Sequence, residues 1–333
     1  MKRVALVGAG NRTKNYNLPI LNQMKDKIEI VGVTTKSGQV SADAGLDGVP
    51  VFDSVTTMVE TVAPDAVIVS IKSSTVSEIL DELLKLEVTV LLETTDDFQV
   101  YAKINASGNQ NIGILEQWPF LPMEQLKKNI VESGALGRVL MVENNFRTYD
   151  YHGAAQIRGY LPPGTTVVNI KGYTTSYGSE SFVAKDGGEM EAGIERVRIK
   201  TGAFSDGTLF VYKYSDKHKK MPFRGHSTLG ICGTKGSIVA GCLLGEYCDI
   251  NILDTEDGST HNLSVLKEYD GEDIKKLTVQ IPGSEDIVWE NAHKGLSEQQ
   301  IATAHLFEEM LVKETIIYGP GDAIQDMAIA YSE

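Results

Sequence analysis

Five short β-branched runs alternate with helical patterns over the first 117 residues, and no other feature constrains the fold as strongly. The runs are "RVALVGA" (3–9), "IEIVGVTT" (28–35), "DAVIVSI" (65–71), "VTVLLE" (88–93) and "NIGILEQ" (111–117). They are apolar almost throughout, as strands buried on both faces are, instead of alternating as half-exposed strands do. Between them Val76, Ile79, Leu80, Leu83 and Leu84 recur at helical spacing behind Ser74 or Thr75 as N-cap. Val55, Met58, Val59 and Val62 repeat the stripe, opened by Asp53 or Ser54 and stopped at Pro64. This alternation predicts an α/β Rossmann domain, a parallel sheet with helices on both faces.

The rhythm changes after about residue 120, where one helix over 122–137 is followed mainly by strand patterns. These cover 138–147, 165–177, 195–204, 208–215 and 227–234, with a hairpin signal at Ser205-Asp206-Gly207. A helix over 297–314 closes the series. The expected organisation is a Rossmann domain over 1–120 and an α+β domain over 121–333 with a large, mostly antiparallel open sheet. The final helix is free to pack back on the first domain. Helices on one face of such a sheet leave the other to be buried, which predicts a homodimer or homotetramer.

Charge and cysteine content narrow the function. A formal net charge of −14 disfavours nucleic acid and anionic membrane surfaces as partners. No apolar run approaches the ~20 residues of a membrane span, and "MKRVALVGAG" reads as a first strand, not a leader. Cys232, Cys242 and Cys248 lack C-x-x-C spacing and read as reduced thiols of a cytoplasmic protein. The histidines show no H-E-x-x-H spacing, so no metal site is expected.

Gly8-x-Gly10 directly follows the first strand, where small residues let backbone approach a pyrophosphate at a helix N-terminus. Asn11 and Arg12 continue the loop, and Thr13 stands where the fingerprint has its third glycine. The second strand ends in Thr34-Thr35-Lys36 without the carboxylate that would bind a ribose diol. Hydroxyls and a cation there suit a 2′-phosphate, which Arg12 could join, so NADP(H) is favoured over NAD(H). The alternative is a solvated turn with Lys36 as a surface charge.

Several segments together resemble the Gfo/Idh/MocA oxidoreductases, the family of glucose–fructose oxidoreductase and inositol dehydrogenase. They are "VGAGNR" (7–12), "VPVFDSVTTMVETVAPDAVIVSI" (49–71), "LKKNIVESGALGRVL" (126–140), "ICGTKGSI" (231–238) and "GPGDAIQDMAIAYSE" (319–333). The resemblance implies a nucleotide pocket bordered by Ser70, Ile71 and Lys72 after the third strand and by Glu93 and Thr94 after the fourth. The family places Glu-Lys-Pro there and uses the lysine at the reacting oxygen; this chain keeps Glu93 but has Thr94 for the lysine and Thr95 for the proline. The family's catalytic histidine matches His152 in "TYDYHGAAQIRGYL" (148–161), with Arg158 and Leu161 at the helix end. The matching aspartate position is Thr148, while Asp150 lies two residues before the histidine.

The implied reaction is hydride transfer between NADP(H) and a small carbonyl, imine or sugar-like substrate, with His152 as proton donor and Tyr151 as the second candidate acid. Lys171, Tyr173 and Tyr177 share one strand face, and Lys171 could replace the missing lysine unless that face meets solvent or another subunit. "YKYSDKHKKMPFRGHS" (212–227) concentrates positive charge that could attract an anion. Loss of the lysine leaves two alternatives: a nucleotide-binding regulator or scaffold, and an enzyme using bound cofactor for elimination or glycoside cleavage.

Overall fold

A computed structural model describes residues 1–145, 149–183, 189–190, 192–215 and 228–332. In it the chain forms two compact units, one of residues 1–120 and 292–324, the other of 121–291 and 325–333.

The first unit is built on a parallel six-stranded sheet: β1 (Lys2–Val7), β2 (Ile28–Thr34), β3 (Val51–Phe52), β4 (Ala66–Val69), β5 (Thr89–Glu93) and β6 (Ile112–Leu115). Its spatial order is β3-β2-β1-β4-β5-β6, so the chain reverses direction across the sheet between β1 and β4. Val4 to Val7, Ala66 to Val69 and Val90 to Leu92 are buried as continuous runs, as strands covered on both faces require. β3 is a two-residue edge strand that the sequence pattern does not reveal.

Helices α1 (Leu18–Gln23), α2 (Val55–Val62), α3 (Ser73–Leu83) and α4 (Phe98–Ser107) link these strands. Ser54 caps α2, its hydroxyl accepting from the Thr57 N–H at 3.1 Å. α3 begins at Ser73, one residue before the expected cap, with Lys72 at the N-cap and no side-chain cap bond. Before α1, Thr13–Asn17 form a π-helical turn in which the Leu18 N–H donates to the Thr13 carbonyl. Pro19 follows in the first turn of α1, where its missing N–H costs least.

The second unit starts with α5 (Pro122–Glu132), β7 (Val139–Asn145), α6 (Asp150–Arg158) and the long β8 (Val167–Ser179). β9 (Phe182–Val183) and β10 (Glu189–Met190) pair as a small ladder, followed by β11 (Gly193–Phe204), β12 (Leu209–Ser215), β13 (Thr228–Gly233), β14 (Gly236–Ala240), β15 (Cys248–Leu253) and β16 (Thr260–Leu263). Eight strands make the main sheet, in the order β16-β15-β14-β13-β7-β12-β11-β8. All its pairs are antiparallel except β7–β12. The Ser205–Gly207 turn joins β11 to β12, with Gly207 at φ +87° and the Phe204 N–H donating to Thr208 O at 2.8 Å. A three-stranded sheet of β17 (Leu266–Asp270), β18 (Asp273–Val279) and β19 (Ile287–Glu290) packs on α5.

Cross-strand partners share a face, so the register separates the two faces of the main sheet. Arg198, Lys200, Tyr212, Phe210, Asn144, Val142, Leu229 and Ile231 fall on the face to which α6 packs. Tyr173, Ile199, Leu209, Val239 and Leu253 fall on the other and are exposed.

The chain then returns to the first unit through α7 (Glu298–Phe307). A capping box between Ser297 and Gln300 starts α7, and the Gln300 side-chain amide donates to Asn15 O at 3.1 Å. Leu306, Phe307 and Met310 are buried, and a Cβ on Gly113 of β6 would lie 2.7 Å from the Met310 sulfur. Only glycine in β6 lets that methionine seat. The closing helix α8 (Pro320–Tyr331) gives its start to the first unit and its end to the second. Among the described residues no helix is long and apolar enough to cross a membrane, and no three His, Cys, Asp or Glu side chains converge as a metal-binding group.

Candidate functional site: a nucleotide cradle and a buried polar helix start

At the carboxyl end of β1 the backbone turns at Gly8 with φ +98°. A Cβ there would stand 2.6 Å from the Ser70 carbonyl oxygen and 2.8 Å from Ile71 Cγ2, so the end of β4 closes directly over this glycine. The Gly8 N–H donates to Thr34 O at 2.8 Å, tying the turn to the end of β2. A Cβ on Gly10 would meet nothing within 4 Å. Gly8 is thus demanded by the fold, whereas Gly10 faces open space beside the N–H groups of the following helix. Such an opening at the strand-order reversal suits a dinucleotide pyrophosphate.

Thr13 locks this turn. Its buried hydroxyl donates to the Gly8 carbonyl at 2.8 Å, a role unavailable to the glycine it replaces. Asn17 is also buried; its amide donates to Ser70 Oγ at 2.8 Å and approaches Glu93 Oε1 at 3.5 Å. The sequence marks Thr13 only as a departure from the glycine fingerprint and does not mark Asn17, because their partners lie on other strands or behind the turn.

At the end of β2, Thr34 is buried and Thr35 donates its hydroxyl to Gln39 O at 2.9 Å. Lys36 is exposed and lies 3.3 Å from the Glu78 carboxylate, a solvent-screened pair of small energetic weight. Arg12 does not join this group. Its Nε donates to Glu93 Oε1 at 2.8 Å, and its guanidinium lies 4.2 Å from the centre of the Tyr16 ring. β1 and β4 stand between β2 and β5 in the sheet, so the 2′-phosphate partner expected of Arg12 is instead drawn to the opposite half of the edge.

Thr94 is half-buried beside Glu93, and Asn11 and Lys72 are exposed at the same edge. Thr95 is buried: its N–H donates to the Tyr101 hydroxyl at 2.8 Å, and its own hydroxyl accepts from the Asp97 N–H at 3.1 Å. Asp97 caps α4, accepting from the Gln99 N–H at 2.9 Å.

In the second unit His152 is buried in the first turn of α6, its ring 4.3 Å from that of Tyr151 and 6.0 Å from that of Tyr149. Several bonds fix this turn. Tyr212 donates its hydroxyl to Asp150 O at 2.6 Å, and Asn144 donates its amide to Gly153 O at 2.9 Å. Arg198 Nη2 lies 2.9 Å from Asp150 Oδ2. Burial is the largest influence on Asp150 and raises its carboxyl above the usual range, against the lowering pull of Tyr331 and Arg198. Arg158 at the other end of α6 pairs with the buried Asp326 of α8 at 2.7 Å. Lys200 donates to Ala330 O at 2.8 Å and to Ser332 O, placing a cation where α8 leaves carbonyls unpaired.

Lys171 does not meet His152. It pairs in register with Thr201, which puts it on the face of the sheet away from α6, and it is exposed on the edge strand with Tyr173 and Tyr177. Most of the basic stretch 212–227 lies outside the described residues, at 216–227.

Residues 2–94 match the family described as "Oxidoreductase family, NAD-binding Rossmann fold", GFO_IDH_MocA. The whole fold is similar to a levoglucosan dehydrogenase solved with NADH, with TM-score 0.69 at 15% identity, covering 99% of this chain and 95% of that one. It is also similar to an oxidoreductase from Thermotoga maritima, with TM-score 0.59, 18% identity and coverage of 98% and 94%. A UDP-N-acetylglucosamine 3-dehydrogenase from Acidithiobacillus ferrooxidans gives TM-score 0.63, 12% identity and coverage of 99% and 95%. At these identities the likeness establishes the fold. No curated protein sequence matches.

Proposed function

We propose that this protein, whose residues 2–94 match the NAD-binding Rossmann family model of the Gfo/Idh/MocA oxidoreductases, is an NADP(H)-dependent oxidoreductase acting on a small carbonyl, imine or sugar-like substrate. The observation that carries this reading is the cradle at Gly8 and Gly10, rigid on one side and open on the other. Gly8, Gly10 and Asn11 would hold the pyrophosphate, Ser70, Ile71 and Lys72 the adjoining ribose, and Thr34, Thr35 and Lys36 the adenosine end. The cofactor supplies or accepts a hydride.

The preference for NADP(H) rests on Thr34, Thr35 and Lys36 and on the absence of a carboxylate among them. The NADH bound by the levoglucosan dehydrogenase favours the other choice. His152 is the proposed proton donor to the reacting oxygen or nitrogen. Its ring is buried in a turn held by Tyr212 and Asn144, and a positioned imidazole can donate a proton to a reacting group. Tyr151 stands beside it as the alternative acid.

The test is to incubate the protein with NADPH or NADH and a panel of ketones, imines and keto-sugars. NADPH consumption exceeding NADH consumption is expected, and His152→Ala should lower turnover on the order of 100-fold or more with nucleotide affinity unchanged. No consumption of either cofactor across the panel would favour the regulator reading. An intact rate in His152→Ala would move the proton donor to another residue.

A homo-oligomer formed through the open face of the second unit's sheet belongs to the same reading. Tyr173, Ile199, Leu209, Val239 and Leu253 are exposed on that face, apolar side chains that a second copy would cover. Ile199→Glu with Leu209→Glu should shift sedimentation from an oligomer to a monomer; an unchanged mass would rule out this face.

A further inference from the structure

We infer that Arg12, braced by Glu93 and Tyr16, is the substrate-anchoring cation of this site, donating its terminal amino groups to the oxygen of the substrate's reacting carbon. The inference rests on the oxidoreductase reading and assigns the electrostatic part of the reaction to a loop residue.

The sheet order supports the assignment. In a dinucleotide crevice the adenosine ribose goes to the end of β2, which leaves the nicotinamide half for the far side of β1, over β4 and β5. Arg12 leaves the chain just after the Gly8–Gly10 turn, yet its Nε is fixed to Glu93 at the end of β5. It crosses the end of β4 to make that bond. An arginine serving the adenosine end would turn the other way.

The bracing decides which atoms remain for a ligand. Glu93 takes the Nε–H at 2.8 Å, and the Tyr16 ring covers one face of the guanidinium at 4.2 Å. Among the described residues the Nη atoms have no hydrogen-bond partner, while the side chain keeps 28% of its exposure. The fork is therefore held in one orientation with its two outer donors presented. Glu93 is itself steadied by Asn17 at 3.5 Å, and Asn17 by Ser70 at 2.8 Å. This chain of bonds joins the nucleotide turn, the end of β4 and the end of β5.

When a hydride adds to a carbonyl carbon, the C=O π electrons move to oxygen, and a fixed donor stabilises the charge that develops there. A guanidinium supplies charge and hydrogen bonds but no transferable proton, so the proton comes from another group. Glu93 balances the charge of Arg12, so the pair is neutral as a unit. It presents donors beside an acceptor, which matches a carbonyl flanked by a hydroxyl, as in a neutral hydroxy-ketone or keto-sugar.

The experiment compares Arg12→Gln, Arg12→Lys and wild type by nucleotide titration, followed through NADPH fluorescence, and by turnover on hydroxy-ketones and the corresponding plain ketones. Arg12→Gln should lower kcat on the order of 100-fold, shift NADPH Kd less than about threefold and erase any preference for the hydroxy-ketone. Arg12→Lys, which can keep the pair with Glu93, should recover part of kcat and guards against a folding defect. A parallel loss of nucleotide affinity and kcat would overturn the assignment and make Arg12 a cofactor contact. Full turnover in Arg12→Gln would overturn it while leaving the oxidoreductase reading intact. Absence of turnover in wild type itself would instead overturn that reading and this assignment together.

Discussion

Lys127→Ala is expected to destabilise the second unit by about 3–5 kcal/mol, the usual penalty for stranding one member of a buried ion pair. Lys127 and Glu124 stand one turn apart on α5 with their charged atoms 2.6 Å from each other, at 0% and 1% side-chain exposure. Lys127 also donates to Gly241 O at 3.3 Å, and the Tyr160 hydroxyl donates to the other Glu124 oxygen. Removing the ammonium leaves a carboxylate with a single donor in a dry site. A fall in melting temperature of roughly 10 °C follows for a unit of this size, measurable by calorimetry or circular dichroism.

The triple replacement Glu124→Leu, Lys127→Met, Tyr160→Phe should cost less than the single one, because it leaves no buried group unpaired. A loss below about 1 kcal/mol in Lys127→Ala would mean that water reaches the site.

The same cluster gives a pH dependence with a definite sign. Burial is the largest influence on Glu124 and raises its carboxyl above the ordinary range, with Lys127 and Tyr160 pulling it down by less. A carboxyl whose folded value lies above its unfolded value contributes stability that is complete below the unfolded value. That contribution is lost as pH rises through the folded one. Glu124→Gln should therefore cost most relative to wild type in acid, and the gap should narrow toward neutrality. Urea denaturation at several pH values follows it; a gap that widens with pH would reverse the assignment of burial as the dominant cause.

This cluster also marks where sequence reading stops. The stretch "EQLKKN" looks like a solvated helix face, and only its packing under the 241 turn and Tyr160 makes Lys127 internal. The parallel sheet was legible because the runs of β1, β4 and β5 are apolar on both faces and the stripes of α2 and α3 hold the helical period. The turn at Gly8 was legible as well. The contacts that complete the site are long-range: Arg12 to Glu93, Asn17 to Ser70, and α7 to the first unit. Local spacing carries no record of them, since a loop arginine reads equally well toward β2 or β5. The buried side of α7, with Ile301, Leu306 and Phe307, fits either core by composition. Lys171 illustrates the converse. Period-2 spacing correctly grouped it with Tyr173 and Tyr177, but only the register with β11 says which face the group occupies.

Gly8→Val and Gly10→Ala should both weaken NADPH binding, yet for different reasons that a stability measurement separates. At Gly8 the backbone holds φ +98°, which a β-branched residue adopts only under strain of about 1–3 kcal/mol. Its Cβ would also collide with the backbone of Ser70 at 2.6 Å, so the end of β4 has to move. Since Asn17 and Ser70 are bonded at 2.8 Å, the shift propagates to Glu93 and Arg12. This variant should lose nucleotide affinity on the order of 100-fold, about 2.7 kcal/mol, together with part of its thermal stability.

Gly10→Ala meets no atom within 4 Å and should melt like wild type. In the proposed reading its methyl group would occupy the space left for a phosphate beside the helix N–H groups, so affinity should fall on the order of tenfold, about 1.4 kcal/mol. Fluorescence titration with NADPH gives the binding arm and thermal melting the stability arm. If Gly10→Ala binds as wild type does, the open space beside Gly10 is not the phosphate seat. The glycine pair would then be a tight turn between β1 and α1 and nothing more.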